Sequence, residues 1–220
     1  MQNPISFFSG FGPNDLWFLA EAALRTLWIS LISISIGSVL GVVLGWLLYE
    51  GKLWGTLTLA PILDVFRSVP LIIQLVLFYN FAPIIGLNLD PFGSGVVILT
   101  IYTAALVANV ARGGIEAVGT PMRRAARSLG MSYWQDLRHV VLPIGGRAVF
   151  PAWVGVALGV MKDSALVSVL GYVELLKASQ ILITRTQQPF LILALAGAFY
   201  FALSYPISRY AAKLEQRWVQ

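Results

Sequence analysis

Long apolar runs, nearly free of formal charge, constrain this chain more than any other feature of its sequence. A helix needs roughly 20 mostly apolar residues to cross a hydrocarbon layer about 30 Å thick, because it rises about 1.5 Å per residue. One such run lies between Arg25 and Glu50 (TLWISLISISIGSVLGVVLGWLLY). A second covers Leu53 to about Ala82 and contains Asp64, Arg67 and two prolines. A third lies between Asp90 and Arg112. A fourth begins after Arg147 and meets Lys162-Asp163 before it finishes spanning, and the last lies between Arg185 and Arg209. Five crossings is the simplest count. It describes an all-α integral membrane protein in which residues 1–220 form a single transmembrane domain, with a loop at about 112–147 outside the bilayer.

Composition agrees. Only 11% of the residues are charged and 58% are hydrophobic, against about 25% charged in soluble domains. That is too little charge to cover a surface facing water, so lipid is the solvent. There is no cysteine, which excludes disulfides and thiolate chemistry, and the single His139 cannot build a multi-histidine metal site. Met1 to Trp17 has no lysine or arginine ahead of the first apolar run and no small-residue cleavage site, so the first span reads as retained.

Five crossings put the two ends on opposite sides. One set of loops holds Lys52, then Arg112, Arg123, Arg124, Arg127, Arg138 and Arg147, then the tail Arg209, Lys213 and Arg217. The other holds Lys177 and Arg185, with Arg25 near the start as a dissenting charge. The positive-inside rule then makes the 112–147 loop and the C-terminus cytoplasmic, and the N-terminus external.

Within the first span, Gly37, Gly41 and Gly45 form one smooth strip at helical spacing. Such a strip permits close helix contact, either inside the chain or with a second subunit.

The loop has structure of its own. Thr120-Pro121 suits an N-cap with proline at the first helical position. Met122, Ala125, Ala126 and Leu129 recur at helical spacing as an apolar face. Gly130 suits the left-handed residue that ends a helix. Ser132 caps a second helix, Tyr133 to about Val141, which Pro143 follows. Two short helices joined at a glycine make a compact element suited to passing force to a soluble partner. Arg123 and Arg124 occupy the first turn, where the helix dipole disfavours cations by up to about 1 kcal/mol. An acidic partner surface, open solvent or anionic lipid would each compensate them.

An ionisable group at membrane depth costs about 3 kcal/mol or more, so it faces a cavity or a partner. Lys162-Asp163 is the clearest case, followed by Ser164, where the apolar helix breaks. Broken helices in transporters present backbone ends to solutes. A cation beside an anion matches the carboxylate and ammonium of a free amino acid. Structural pairing, or a position at the headgroups, is the other reading, since adjacent helical residues point about 100° apart. Arg67, Gln74 and Asn109 are further pathway candidates. The chain lacks a G-x-x-x-x-G-K-[ST] phosphate loop, so energy comes from a partner or from a gradient. No residue set suggests nucleophilic catalysis, and one short basic helix is too narrow a face for nucleic acid.

The stretch RRAARSLGMSYWQDLRHVVLP (Arg123 to Pro143) resembles the EAA loop of ABC importer permeases, with Ala125, Ala126, Gly130, Leu142 and Pro143 at the family's spacing. YTAALVANVARGGIEAV, MKDSALVSVLGYVEL and VFRSVPLIIQLVLFY resemble segments of the polar amino-acid branch in the same order, so the resemblance covers nearly the whole chain. It implies the type I importer permease fold, with two such subunits, identical or not, around one pathway. It implies a pair of separate ATPase subunits that carry ATP and magnesium, this chain holding no cofactor itself. The loop would dock on them through Pro121, Arg123, Arg124, Ala125, Ala126, Arg127, Leu129, Gly130, Leu142 and Pro143. An extracytoplasmic binding protein would deliver a polar amino acid, acidic or neutral, across the cytoplasmic (inner) membrane of a prokaryote. Two departures stand out. Arg124 replaces the family's glutamate, with Pro121 in place of the loop glycine, and Ala108-Asn109 replaces Ala-Glu. The alternative from the residues alone is a gradient-driven secondary transporter of a small polar solute.

Overall fold

The computed structural model describes residues 10–219, so residues 1–9, part of the N-terminal segment expected to be retained, lie outside the described ones. The first helix, α1 (Pro13–Glu50), starts at a proline, with the Gly12 amide donating to the Asp15 carboxylate at 2.8 Å. Its long partner is α4 (Pro91–Ala117), and this pair packs more extensively than any other. Gly37, Gly41 and Gly45 are all buried on the α4 side. A Cβ at Gly37 would lie 2.6 Å from Thr103 Cβ, one at Gly41 2.6 Å from Val107 Cβ, and one at Gly45 2.4 Å from the Ala108 carbonyl oxygen. Of the two uses open to this strip, the structure takes packing within the chain. Helices in lipid gain little from the hydrophobic effect, so close backbone approach supplies the attraction.

The second apolar run is a bent pair. α2 (Gly55–Ser68) and α3 (Leu71–Phe81) meet at 101° across Val69-Pro70. Proline lacks an N–H and drives the residue before it out of the helical region, and Val69 is extended at ψ 129°. The carbonyls freed at the bend must be satisfied inside the protein. Gln74 Nε2 does so, donating to Phe66 O and Val69 O at 2.8 Å each. Among the described residues four helices are long and apolar enough to cross a membrane, and the bent pair, counted as one span, makes five.

The region after the loop departs from the sequence reading. A second loop helix ending before Pro143 is expected, but α6 runs unbroken from Tyr133 to Leu170. A proline crowds the carbonyl four residues before it. The wider π-type turn at Leu137–Val141 accommodates Pro143, which falls in the first turn of the regular stretch Leu142–Asp163. Loop and fourth crossing are therefore one rod. The expected break at Lys162-Asp163 is a tightening: Ser164–Leu170 is 3-10 helix, ended by Gly171 at φ 97°.

At the end of the bundle away from the loop, α7 (Leu175–Thr186) and α8 (Pro189–Val219) are strapped to α1. Glu174, fully buried, caps α7 by accepting from the Leu176 and Lys177 amides at 2.9 and 2.8 Å. Its Oε2 also lies 3.4 Å from Thr26 Oγ1 of α1 and 3.2 Å from Tyr200 Oη of α8. Arg185 pairs with Asp15 at 2.5 Å. Arg25, the dissenting charge, is met by Glu21 one turn away at 2.6 Å.

Gly41→Val should lower the stability of the detergent-solubilised chain by about 3 kcal/mol, because a branched side chain overpacks the α1–α4 contact. Gly197→Ala, where an added Cβ meets nothing within 4 Å, should leave the thermal unfolding midpoint unchanged.

Candidate functional site

The loop helix α5 (Thr120–Ser128) begins after Gly119, one residue earlier than Thr120 suggests, with Pro121 in its first turn. It ends as expected at Gly130, φ 89°, whose amide donates to Arg127 O at 2.9 Å. Ser132 then caps α6 in a reciprocal box with Gln135. The buried face of α5 consists of Arg123 and Ala126. Pro121, Met122, Arg124, Ala125, Arg127, Leu129 and Gly130 point away from the protein, as do Leu142 and Pro143 on α6. Leu129 is 84% exposed, and Trp134 on α6 is 65% exposed. The apolar positions Met122, Ala125 and Leu129 thus face outward, and only Ala126 faces in.

Arg123 is not available to a partner, to solvent or to lipid. Its Nε donates to Asp136 Oδ2 at 2.9 Å and its Nη1 to Tyr49 Oη at 3.0 Å. Asp136 is fully buried, and Arg127 approaches it at 3.5 Å. Burial opposes the charge on Arg123, but the Asp136 carboxylate outweighs burial and holds the guanidinium above its ordinary pKa. The guanidinium also lies over the Tyr49 and Tyr133 rings, at 5.5 and 6.0 Å from their centroids. Tyr133 Oη in turn donates to Glu50 Oε1 and accepts from Trp46 Nε1, both at 2.7 Å. The sequence reading missed Asp136, Tyr49, Tyr133, Glu50 and Trp46 as a set. One signal was present: Asp136 is the single carboxylate between Glu116 and Asp163, in a stretch holding five arginines.

The polar groups at membrane depth fall into separate places. Gln74 is buried and its amide nitrogen is committed to the bend. It lines an otherwise apolar cavity of about 470 Å³ with Phe66, Val69, Phe78 and Ile98, and this cavity excludes Asn109, Lys162 and Asp163. Arg67 pairs with Asp64 one turn away. Asn109 on α4 and Lys162 on α6 are exposed, and Asp163 is half-buried within electrostatic reach of Tyr102 on α4. Ser164, fully buried at the change of helix type, donates to Met161 O at 2.8 Å and lies 3.2 Å from Ser30 Oγ of α1. Among the described residues no group of three His, Cys, Asp or Glu side chains is placed to hold a metal ion.

Apolar spans, one of them bent, with a basic helix packed at one end of them, define a multi-pass membrane protein. Residues 37–220 match the family described as binding-protein-dependent transport system inner membrane component, and the chain belongs to that family. It is 30% identical over 218 residues to the probable glutamine ABC transporter permease protein GlnP of Bacillus subtilis (strain 168), covering 97% of this chain and 99% of that protein. It is 29% identical over 201 residues to the glutamine transport system permease protein GlnP of Escherichia coli (strain K12), covering 90% and 92%. The crystal structure of an amino acid ABC transporter with histidines superposes with a TM-score of 0.82 at 30% identity, over 91% of this chain and 94% of that one. The inward-facing MetNI methionine ABC transporter superposes with a TM-score of 0.80 at 22% identity, over 94% and 99%, and supports the fold alone. The fold is that of the type I ABC importer permeases, and the chain is a permease subunit of an ABC transporter rather than a gradient-driven carrier.

Asp136→Ala should destabilise the chain by about 3–5 kcal/mol, because it strands Arg123 as a buried unpaired charge. Replacing both partners with apolar residues of similar volume, Arg123→Met with Asp136→Leu, should recover most of that loss in a thermal melt.

Proposed function

We propose that this chain is the membrane-spanning subunit of an importer for polar amino acids, neutral ones such as glutamine foremost, driven by ATP hydrolysis on separate subunits. The observation that carries the reading is the form of α5. It is held from beneath by the buried Arg123–Asp136 pair and turns Met122, Ala125 and Leu129 outward. A rigid helix with an exposed apolar stripe flanked by Arg124 and Arg127 suits docking in a groove of an ATPase that binds ATP and magnesium. Arg124, where related loops carry glutamate, calls for an acidic or neutral groove surface opposite it.

The family's binding-protein dependence supports delivery by an extracytoplasmic solute-binding protein, and a second permease, identical or a sister chain, would complete the pathway. The basic residues gathered at the α5 end support a cytoplasmic loop and C-terminus and an external N-terminus in the inner membrane. With Arg25 paired to Glu21, the charge that dissented from this orientation is offset locally. Within the pathway, Lys162 suits the solute carboxylate and Asp163 its ammonium, with Asn109 as an uncharged polar contact. Asn109 in place of a carboxylate favours a neutral solute over a cationic one. Arg67, paired with Asp64, is the remaining pathway candidate, and Gln74 serves by holding the bend.

Reconstituted with its ATPase and binding protein, the chain should take up glutamine only when ATP and the binding protein are both present. Uptake by the chain alone under an ion gradient would overturn the reading. Lys162→Met and Asp163→Asn should each reduce uptake with complex assembly intact, and normal uptake by both would remove these residues from the pathway. Leu129→Glu should abolish copurification of the ATPase while leaving the fold unchanged.

A further inference from the structure

We infer that Tyr133, gripped between Trp46 and Glu50, is a positioning residue that makes the end of α1 move with α5 and the head of α6. The inference rests on the function proposed above. By chain connectivity alone, α5 hangs between two pivots. One is the Val118-Gly119 link from α4, and the other is the turn at Gly130, which has a positive φ. Neither pivot passes a push in a defined direction. The side chains supply what the backbone lacks.

Trp46, Tyr49 and Glu50 stand at i, i+3 and i+4 in the last turn of α1, on one face of that helix. All three are engaged from the loop: Tyr49 by Arg123 of α5, Trp46 and Glu50 by the one hydroxyl of Tyr133. Arg123 is tied to Asp136, three residues beyond Tyr133 on α6, so a displaced α5 carries the head of α6 with it. That combined element holds the end of α1 by three hydrogen bonds.

Two further features fit a moving α1. A cavity of about 300 Å³ lies beside this junction, between α1, α4 and α6, walled by Val42, Trp46, Gly114, Leu137, Val141 and Gly145. Its lining is apolar, so it is the hydrogen bonds to Tyr133 that fix how the end of α1 sits on α6. Beyond it, the glycine seam holds α1 and α4 backbone to backbone, so α4 follows α1. Asn109 lies on α4. Force applied at α5 therefore reaches α4 and Asn109 by way of α1, beside the direct path down the α6 rod to Lys162 and Asp163.

The experiment uses the complete transporter in liposomes, with glutamine uptake and ATP hydrolysis measured in the same vesicles. Tyr133→Phe keeps the ring and its packing but loses both hydrogen bonds to α1. Glutamine imported per ATP should fall about fivefold to tenfold, while hydrolysis and ATPase copurification stay at wild-type levels. Glu50→Gln keeps an acceptor for the tyrosine hydroxyl and should retain the wild-type ratio, whereas Glu50→Leu, which keeps only the bond from Trp46, should fall between the wild type and Tyr133→Phe. An unaltered ratio in Tyr133→Phe overturns the inference while leaving the function in place. A loss of uptake that merely tracks loss of assembled complex also overturns it, because that marks a structural role. A wild-type complex without ATP-driven uptake would remove the function itself, and this inference with it.

Discussion

The contact between α1 and α4 is the constraint on which the rest of the structure depends. At Gly37, Gly41 and Gly45 there is no space for even a methyl group between the two helices. Lipid solvates apolar side chains as well as another helix does, so association inside the bilayer relies on how closely backbones approach. The three glycines make that approach possible over the C-terminal half of α1. α6 repeats the device against α4, where a Cβ on Gly145 would lie 2.2 Å from the Gly114 carbonyl oxygen. α4 is thus held on two sides by glycine contacts and forms the axis around which α1 and α6 are arranged.

Around this axis the chain meets its backbone and charge obligations with a few buried polar side chains. Gln74 serves the carbonyls released by Pro70, Glu174 serves the first amides of α7, and Asp136 serves the arginine under α5. Each joins elements that the chain connects only loosely. Glu174 gathers α1, α7 and α8 at one end of the bundle, and the Arg123–Asp136 pair with Tyr49 gathers α1, α5 and α6 at the other. One helix, α1, belongs to both clasps, and this gives the loop a mechanical route along the bundle.

Much of this was legible in the chain. The apolar runs mark the spans, the glycine strip marks the close contact, and Gly130 and Ser132 mark the turn between α5 and α6. Those features depend on local chemistry. What the sequence concealed depends on distance or on competition. Pro143 signals the end of a helix, yet a π-type turn absorbs it because the rod continues into the bilayer. Arg123 looks like a surface charge, because its partner lies 13 residues on and meets it only when α5 folds back. Gln74 carries the same signature as a residue that binds solute, since a polar side chain at membrane depth serves either a ligand or a broken helix. The positions of the Phe66 and Val69 carbonyls show what its amide nitrogen does.

The central claim is that α5 lies in the cytoplasm with Leu129 against a nucleotide-hydrolysing partner. The chain contains no cysteine, so a single Leu129→Cys substitution places one reporter thiol on that face. A membrane-impermeant thiol reagent should fail to label it in intact cells, label it in inverted vesicles stripped of the ATPase, and fail again once the ATPase is restored. Labelling from outside intact cells, or labelling of inverted vesicles that is indifferent to the ATPase, would contradict the account.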